Sequence, residues 1–384
     1  MNVEQIYTLV NDTTKEILGD SVILQQDLSN VVDVGTAIFN ANAYDKYVQA
    51  LVNRIGRTIF VERKYTGGSP DIRMDSWEWG SVMQKIRGEL PDAVKNESWD
   101  LQDGASYDDN VFVKPVVSAK FFNSKTSFEV RFSLTDLQVK QSFSSPTELN
   151  SFVSMLWNEV EKKMTIAFDG LIDSTIGNFI GETFYDAFPG GTYNGVTAIR
   201  CRNLLYEYNT NVNGGTPLTT SNCLYDKEFL RYASAQMGLL ITRLKKVSRL
   251  FNIGQTAKFT PAEYLHVVML ADFVKQTSTY LESDTFHNEL VALPKYEEVA
   301  YWQGSGTGYG EADKVSVTTA SGHAITASGI LCVMFDHEAL GVTNYNRRTT
   351  SKYNAPAEFT NYWNKQDASY FNDLDENFVV FYIA

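Results

Sequence analysis

The feature that most constrains the fold is a long helical pattern that begins near Ser145. The tetrapeptide Ser145-Pro146-Thr147-Glu148 combines an N-cap serine, a proline at the first helical position and a glutamate at the third. Apolar residues then recur at helical spacing, which predicts one helix of about 30 residues and roughly 45 Å. A helix of this length cannot be packed on all sides within a small domain, so we expect a spine that crosses the molecule.

The flanking patterns predict a mixed α+β chain. Residues 126–134 alternate apolar and polar side chains with period two, which is typical of a half-buried antiparallel strand. Asp226 is expected to cap a helix over 226–247. Residues 188–217 are rich in glycine and asparagine and are expected to form loops. Further strands are predicted at 58–65, 111–122, 265–270, 330–335 and 378–383, and further helices at 43–55 and 272–281.

The first 45 residues are strongly acidic. They hold seven carboxylates and only one lysine, which gives a net charge of -6 out of -13 for the chain. The spacing of Ile6, Leu9, Val10 and Ile17 predicts a short amphipathic helix at the start.

A long, weakly patterned stretch follows the turn Gly67-Gly68-Ser69-Pro70. It runs to about residue 110, is broken by glycines and carries Trp77, Trp79 and Trp99 without a period that would bury them together. Such excursions are uncommon inside compact domains and are usually functional or partner-binding loops. Two interpretations stand equally: the rings are buried against another subunit, or they form a small cluster under the loop.

The chemical motifs of enzymes are absent from the sequence. His337-Glu338-Ala339-Leu340 begins like the zinc motif H-E-x-x-H, but Gly341 stands at the second histidine, so Asp336 is read as the N-cap of a short helix. The alternating glycines from 304 to 310 lack the dinucleotide-loop spacing and predict a surface hairpin that leads towards a strand. The sequence has no Gly-Lys dipeptide and no G-x-S-x-G, and its four histidines are scattered (His266, His287, His323 and His337). We therefore predict no catalytic site, no cofactor and no metal.

Charge argues against a protein that grips nucleic acid. The chain has 33 basic and 46 acidic side chains, whereas affinity for DNA comes largely from neutralising phosphates. One basic patch, which comprises Arg243, Lys245, Lys246 and Arg249, ends the helix that begins near Asp226. Cations are expected at a helix C-terminus. The alternatives are ion pairs to a neighbouring subunit, for example to its acidic arm, and a minor contact with DNA.

The three cysteines, Cys201, Cys223 and Cys332, form no C-x-x-C pair and are odd in number. They are expected to be reduced structural thiols in a cytosolic setting. The start of the chain lacks the pattern of a secretory signal, and no stretch approaches the roughly 18 apolar residues of a membrane span.

Three stretches resemble one known family. They are FSLTDLQVKQSFSSPTELNSFVSMLWNEVEKKM (132–164), GILCVMFDHEALGV (329–342), taken as a buried strand and a short helix, and NAPAEFTNYWNKQDASYFNDLDENFVVFYI (354–383). These stretches and the order of elements are similar to the major capsid proteins of tailed bacteriophages, which have the Hong Kong 97-type fold.

The resemblance implies a division of the chain. Residues 1–45 would be an N-terminal arm, and 57–115 an extended β loop that laps over a neighbour. Residues 116–182 would form a peripheral domain with the spine helix, completed by 343–384, and 183–342 an axial domain around the five-fold and six-fold axes.

The resemblance also implies a function. Pentamers and hexamers would build an icosahedral head around double-stranded DNA, with portal and possibly scaffolding or decoration proteins as partners and no membrane. Assembly would occur in the cytoplasm of a bacterial host. The candidate inter-subunit contacts are Trp77, Trp79, Trp99, Arg243, Lys245, Lys246 and Arg249.

Three alternatives stay open at the level of sequence. The first is an encapsulin-like shell that holds a protein cargo. The second is an enzyme of unrecognised family, with a site built from scattered carboxylates. The third is another virion component, such as a decoration or tail protein, against which the long helix argues because such proteins are more often all-β.

Overall fold

The computed structural model describes residues 3–19, 23–41, 43, 46–47, 50–51, 69–74, 83–88, 93–107, 110, 112, 114–135, 146–189, 193, 196–283, 295–305, 308–319 and 322–384. Its helices are α1 Val3–Leu18, α2 Val31–Asn40, α3 Pro146–Ala187, α4 Leu204–Asn211, α5 Lys227–Leu244 and α6 Ala271–Ser283. Its strands are β1 Met83–Gly88, β2 Val117–Phe122, β3 Lys125–Thr135, β4 Cys201–Asn203, β5 Leu265–Leu270, β6 Glu297–Val299, β7 Gly304–Ser305, β8 Gly308–Tyr309, β9 Val315–Thr318, β10 Ala324–Ala327, β11 Ile330–Asp336, β12 Leu340–Asn354, β13 Phe359–Asn372 and β14 Phe378–Tyr382.

The spine helix α3 is longer than the sequence predicted. It has 42 residues instead of about 30 and spans roughly 63 Å at 1.5 Å per residue. The helix continues because Ile172, Phe179 and Phe184 in its second half are buried in the largest core. A Cβ on Gly181 would lie 2.5 Å from Val317 Cγ2, so glycine lets the helix approach β9 closely.

A five-stranded sheet forms the centre of the molecule, in the order β4-β14-β11-β5-β6. Its middle strands are antiparallel, and β4 and β6 pair parallel at the edges. Every residue of β11 is buried, because the spine helix covers one face and α4, α5 and α6 pack on the other. The strands predicted at 265–270, 330–335 and 378–383 and the helices predicted at 226–247 and 272–281 are confirmed. Asp226 caps α5, since its Oδ1 accepts a hydrogen bond from Phe229 N at 2.8 Å.

A second, three-stranded sheet has the order β12-β13-β3. The period-two burial predicted for 126–134 is confirmed in β3. The predicted N-terminal helix is confirmed as α1. With α2 it packs on the sheet through Leu9, Val10 and Val31, against Leu134 and Tyr362. Residues 343–372 thus belong to this sheet, while the last strand β14 lies in the five-stranded one.

Two local predictions were wrong. The expected loop 188–217 contains β4 and α4, whose N-cap Asn203 accepts a hydrogen bond from Tyr206 N at 3.1 Å. The short helix expected after Asp336 is a turn. Asp336 Oδ1 does accept from Glu338 N at 2.9 Å, but the chain then continues as β12, because pairing with β13 supplies its backbone hydrogen bonds.

The glycine-rich hairpin is confirmed as the β7–β8 pair, and the chain leads from it into β9 as expected. Strand β2 begins at Val117 rather than at 111. The predicted helix 43–55 is described only at 43, 46–47 and 50–51; residue 43 is not helical and the other four are. The predicted strand 58–65, Gly67, Gly68, Trp77 and Trp79 lie outside the described residues.

All three cysteines are free and buried. Burial raises the pKa of the Cys223 thiol to about 11 and also raises the pKa of Cys201 and Cys332, which suits unreactive structural thiols. Among the described helices, none is long and apolar enough to cross a membrane.

One half-buried acid on the spine helix gives a testable prediction. Asp173 Oδ1 accepts a hydrogen bond from Ser69 Oγ at 2.8 Å, and burial, with a smaller effect of Asp169, raises its pKa to about 6. The charged form of Asp173 is therefore unfavourable in the folded subunit above pH 6. That cost fades as the pH falls from about 6 towards the unfolded value near 4. We expect Asp173→Asn to stabilise the unassembled subunit by about 1–2 kcal/mol at pH 7.5 and by much less at pH 4.5.

Thermal unfolding of the two proteins at both pH values measures this difference. Asp103→Asn, at an exposed position, is the matched control and is expected to change stability by less than about 0.5 kcal/mol. A loss of stability in Asp173→Asn at pH 7.5 would contradict the account of this acid.

Candidate subunit-contact surface

Strands β1 and β2 pair antiparallel, and we call this pair the hairpin. Strand β1 lies within the expected extended loop, 57–115, whereas β2 lies at the start of the expected peripheral domain, 116–182. In the register of the hairpin Lys85 lies opposite Lys120, Ile86 opposite Ala119 and Gln84 opposite Phe121. Because side chains alternate between the two faces of a strand, opposite residues share a face. One face therefore carries the cations and the other carries mostly apolar side chains.

The cationic face is the one turned towards the body of the subunit. Lys85, Arg87 and Lys120 meet the turn that joins β13 to β14, where Asp373 and Glu376 lie. Lys85 Nζ lies 2.9 Å from Asp373 Oδ2 and 3.3 Å from Glu376 Oε1. Lys120 Nζ lies 3.0 Å from Asp373 Oδ1, and Arg87 Nη2 lies 3.2 Å from Glu376 Oε1. These ion pairs attach the hairpin to the body.

Asp373 is the centre of this network. Its side chain is fully buried and pairs with all three cations. Although burial alone would raise the pKa of Asp373, its bonds to Lys85 and Lys120 outweigh that effect and lower it. In the same way, burial would lower the pKa of Lys85, but Asp373 and Glu376 raise it. Both groups are therefore held in their charged forms, as a buried ion pair requires.

The network also reaches two other parts of the body. Lys258 Nζ lies 2.6 Å from Glu376 Oε1, which ties the loop after α5 to the same turn. Lys85 Nζ also donates to the carbonyl oxygen of Glu338 at 3.0 Å, in the turn between β11 and β12. A Cβ on Gly254 would lie 1.8 Å from Asp375 Oδ1, so only glycine lets this loop approach the turn so closely.

The other face of the hairpin is apolar and points away from the body. Ile86, Val117 and Phe121 are 69%, 62% and 64% exposed. This arrangement reverses the ordinary pattern, in which the apolar side of a strand is buried and the charged side is solvated. Adjoining exposed apolar residues mark an interaction surface. We call the outward side chains of Gln84, Ile86, Val117, Ala119 and Phe121 the outward face.

The structure places the predicted contact residues in different regions. Trp99 ends a short 3-10 helix, Glu97–Trp99, and is 93% exposed, so it does not belong to a cluster under the loop. Arg243 lies in the last turn of α5 and Lys245 is its C-cap. Lys246 and Arg249 follow, and all four cations are exposed. No ion pair joins any of them to a described residue. The Trp99 loop and the basic patch are therefore both available to a partner.

Sequence reasoning missed one pair of histidines. His266 Nε2 and His337 Nδ1 are 3.1 Å apart, and His266 Nδ1 lies 2.8 Å from Glu297 Oε1. The pairing of β11 with β5 places His266 opposite Phe335 and so brings the two rings together, although they are far apart in sequence. No group of three or more potential ligands among the described residues is arranged to hold a metal ion.

Comparison with protein families identifies the class of the molecule. The family model of the Phi29-like phage major capsid protein matches residues 10–382. The chain therefore belongs to this family of structural proteins, and it is a capsid-forming protein that assembles from copies of itself. This membership does not favour the encapsulin-like, enzyme or decoration-protein alternatives. No curated protein matches the chain.

Solved phage capsids are similar in architecture but distant in sequence. The capsid of Staphylococcus phage Andhra is 9% identical, with a TM-score of 0.49, over 84% of this chain and 87% of that one. The capsid of cyanophage P-SCSP1u is 10% identical, with a TM-score of 0.44, over 85% of this chain and 94% of that one. The mature capsid of bacteriophage PhiM1 is 10% identical, with a TM-score of 0.40, over 84% and 90%.

The ion network generates a stability prediction. Asp373→Asn removes the buried charge that holds three partly exposed cations, and breaking a buried pair on one side costs about 3 kcal/mol. We expect a loss of that size in the free energy of unfolding of the unassembled subunit at pH 7. Denaturant unfolding measures it.

The matched control is Lys95→Met, which breaks the ion pair between the exposed Lys95 and Asp100. Exposed pairs contribute little, so we expect a change below about 0.5 kcal/mol. Equal losses in the two variants would contradict a central role for Asp373.

Proposed function

We propose that this chain builds the icosahedral head of a tailed phage, as pentamers and hexamers that enclose double-stranded DNA. The observation that carries the proposal is the reversed hairpin. Its cations form ion pairs with the body of the same subunit, whereas its apolar side chains are exposed. Covering such an apolar side with another molecule is favourable, because it removes apolar surface from water. A chain that assembles with itself supplies that molecule in every copy.

The expected division of the chain fits this role. We propose that 1–45 is the arm, 57–115 the extended loop, 116–182 with 343–384 the peripheral domain and 183–342 the axial domain. Strand β14 would then join the two domains, since it completes the sheet of the axial segment. In this arrangement the arm contains the helices α1 and α2, which pack on the three-stranded sheet of the peripheral domain.

Assembly follows from repeated contacts of one kind. Contacts between unlike faces of identical subunits close into rings when the rotation permits. The outward face would cover a neighbour in each ring, and each apolar contact would contribute through burial at about 25 cal/mol per Å². Trp99, Trp77 and Trp79 are the proposed aromatic contacts of the loop, and Arg243, Lys245, Lys246 and Arg249 are the proposed ionic ones.

The proposed partners and setting are those that the capsid family implies, and the charge of the chain fits them. A net charge of -13 suits an inner wall that does not adhere to DNA, because like charges repel. The protein would work without catalysis or cofactor, in the virion, after assembly in the bacterial cytoplasm. Portal and possibly scaffolding or decoration proteins would be its other partners.

Negative-stain electron microscopy of the purified protein, beside its size-exclusion profile, tests this proposal. Closed shells, rings of five or six, or open sheets are expected. A monodisperse monomer under conditions that favour assembly would overturn it. DNA rather than a bound enzyme inside particles purified from infected cells would separate the phage head from an encapsulin-like shell.

The outward face itself gives a prediction about assembly. Ile86→Asp and Phe121→Asp place a charge where the neighbour would bury an apolar group, so each should raise the minimum protein concentration for assembly at least ~10-fold. Both sites are exposed in the subunit, so its stability should change by less than about 0.5 kcal/mol. Light scattering and thermal unfolding measure the two quantities. Ile86→Val keeps the site apolar and should assemble normally, whereas normal assembly of Ile86→Asp would show that this face is not a contact.

A further inference from the structure

A groove beside the end of α5 is not used by the core or by the hairpin. Its volume is about 510 Å³, and it is lined by Ala198, Ile199, Leu240, Leu250 and Phe251, together with Thr197, Arg202, Glu207 and Arg243. Leu240 and Phe251 form a buried floor, while Ile199 and Leu250 are 53% and 52% exposed at the rim. Ligand sites in proteins range over roughly 300–1,000 Å³, so a large aromatic side chain fits within this groove.

The walls of the groove are held in place by hydrogen bonds. Arg200 Nη1 donates to the carbonyl oxygens of Leu250 and Asn252, at 3.4 Å each. Glu207 Oε1 accepts from Thr197 Oγ1 at 2.8 Å and from Arg202 Nε at 3.0 Å. The groove is therefore a preformed feature, and preformed sites lose less entropy on binding.

One donor in the lining has no acceptor. Arg202 Nη1 is buried but makes no hydrogen bond with the described part of the chain. Buried polar atoms almost always have a partner, and a donor without one is unfavourable.

The mouth of the groove is positively charged. Arg243 is part of its lining. Lys245, Lys246 and Arg249 follow within six residues, at the C-terminal end of α5 and just after it. All four are exposed. The occupant should therefore combine a large apolar side chain with negative charges close to it in sequence.

The segment around Trp99 has this composition. Trp99 is almost completely exposed and Leu101 is exposed next to it, and Glu97, Asp100 and Asp103 flank them. The N-terminal arm is also acidic, but its apolar residues Leu9 and Val10 are already buried on the chain's own sheet. Among the aromatic residues of these two acidic segments whose burial the structure describes, Trp99 is the ring that is almost completely exposed and lies between carboxylates.

We infer that residues 97–103 of one copy dock in the groove of a second copy, with the Trp99 indole between Ile199 and Leu250. Asp100 and Asp103 then lie against Arg243, Lys245 and Lys246 of the second copy. This inference rests on the proposed self-assembly and adds to it a defined pair of contacting surfaces. It also explains why the basic patch has no ion pair with the part of its own subunit that the structure describes.

A crosslink between two different copies tests the inference. Trp99→Cys and Ile199→Cys subunits, distinguishable by size, are mixed, assembled and mildly oxidised. The three native cysteines are buried and do not compete. We expect a disulfide-linked pair containing one subunit of each kind, at least 10-fold more abundant than with Trp99→Cys and Tyr353→Cys subunits, and released by a reductant.

Charge reversal gives an independent readout. Asp100→Lys with Asp103→Lys should slow crosslinking, and Arg243→Glu with Lys246→Glu in the other copy should restore it. Shells that form from the cysteine subunits without this crosslink would overturn the inference and leave the proposed function intact. Failure of the unaltered protein to form any assembly would instead overturn the proposed function.

Discussion

The rest of the structure depends on one buried carboxylate. Asp373 sits without solvent contact between Lys85, Arg87 and Lys120, three cations that come from two strands far away in sequence. Isolated in an apolar interior, any one of these charges would be strongly unfavourable. Together they are stable only in a single arrangement, in which the β1–β2 hairpin lies against the turn between β13 and β14.

This arrangement determines which side chains of the hairpin face the body of the subunit and which face solvent. Because side chains alternate along a strand, turning the cations inward turns Ile86, Val117 and Phe121 outward. The same network includes Lys258 and the carbonyl of Glu338, so the position of the hairpin is coupled to the loop after α5 and to the end of β11. A subunit built in this way would present its proposed contact surfaces in a defined relation to one another, which is what a closed shell of identical copies requires.

The elements that could be predicted from sequence are those whose pattern is local. Strand β11 is an apolar run, β3 alternates with period two, and α5 begins at a capping aspartate, and all three were predicted. The last part of the spine helix, beyond the roughly 30 residues predicted, was missed, because it is surrounded by the core and its apolar residues occupy several faces. Strand β12 was missed because polar residues such as Thr349 and Asn364 face each other across its pairing with β13, so it lacks an alternating pattern.

The candidate site was only partly within reach of sequence reasoning. The sequence singled out the tryptophan loop and the basic patch. The cations of β1 have no local pattern that distinguishes them from an ordinary solvated surface. Their acidic partners lie nearly 290 residues away, and no local rule connects residues at that separation. The same holds for the His266–His337 contact, which exists only because two strands pair. The resemblance to tailed-phage capsid proteins supplied the function that the isolated patterns left open.

The most direct test of the central claim is an electron cryomicroscopy map of the assembled particle that resolves side chains. The account predicts that the Lys85–Asp373 pair is intact and that a neighbouring subunit covers Ile86, Val117 and Phe121. A shell in which these three side chains face solvent, while the network is intact, would contradict it.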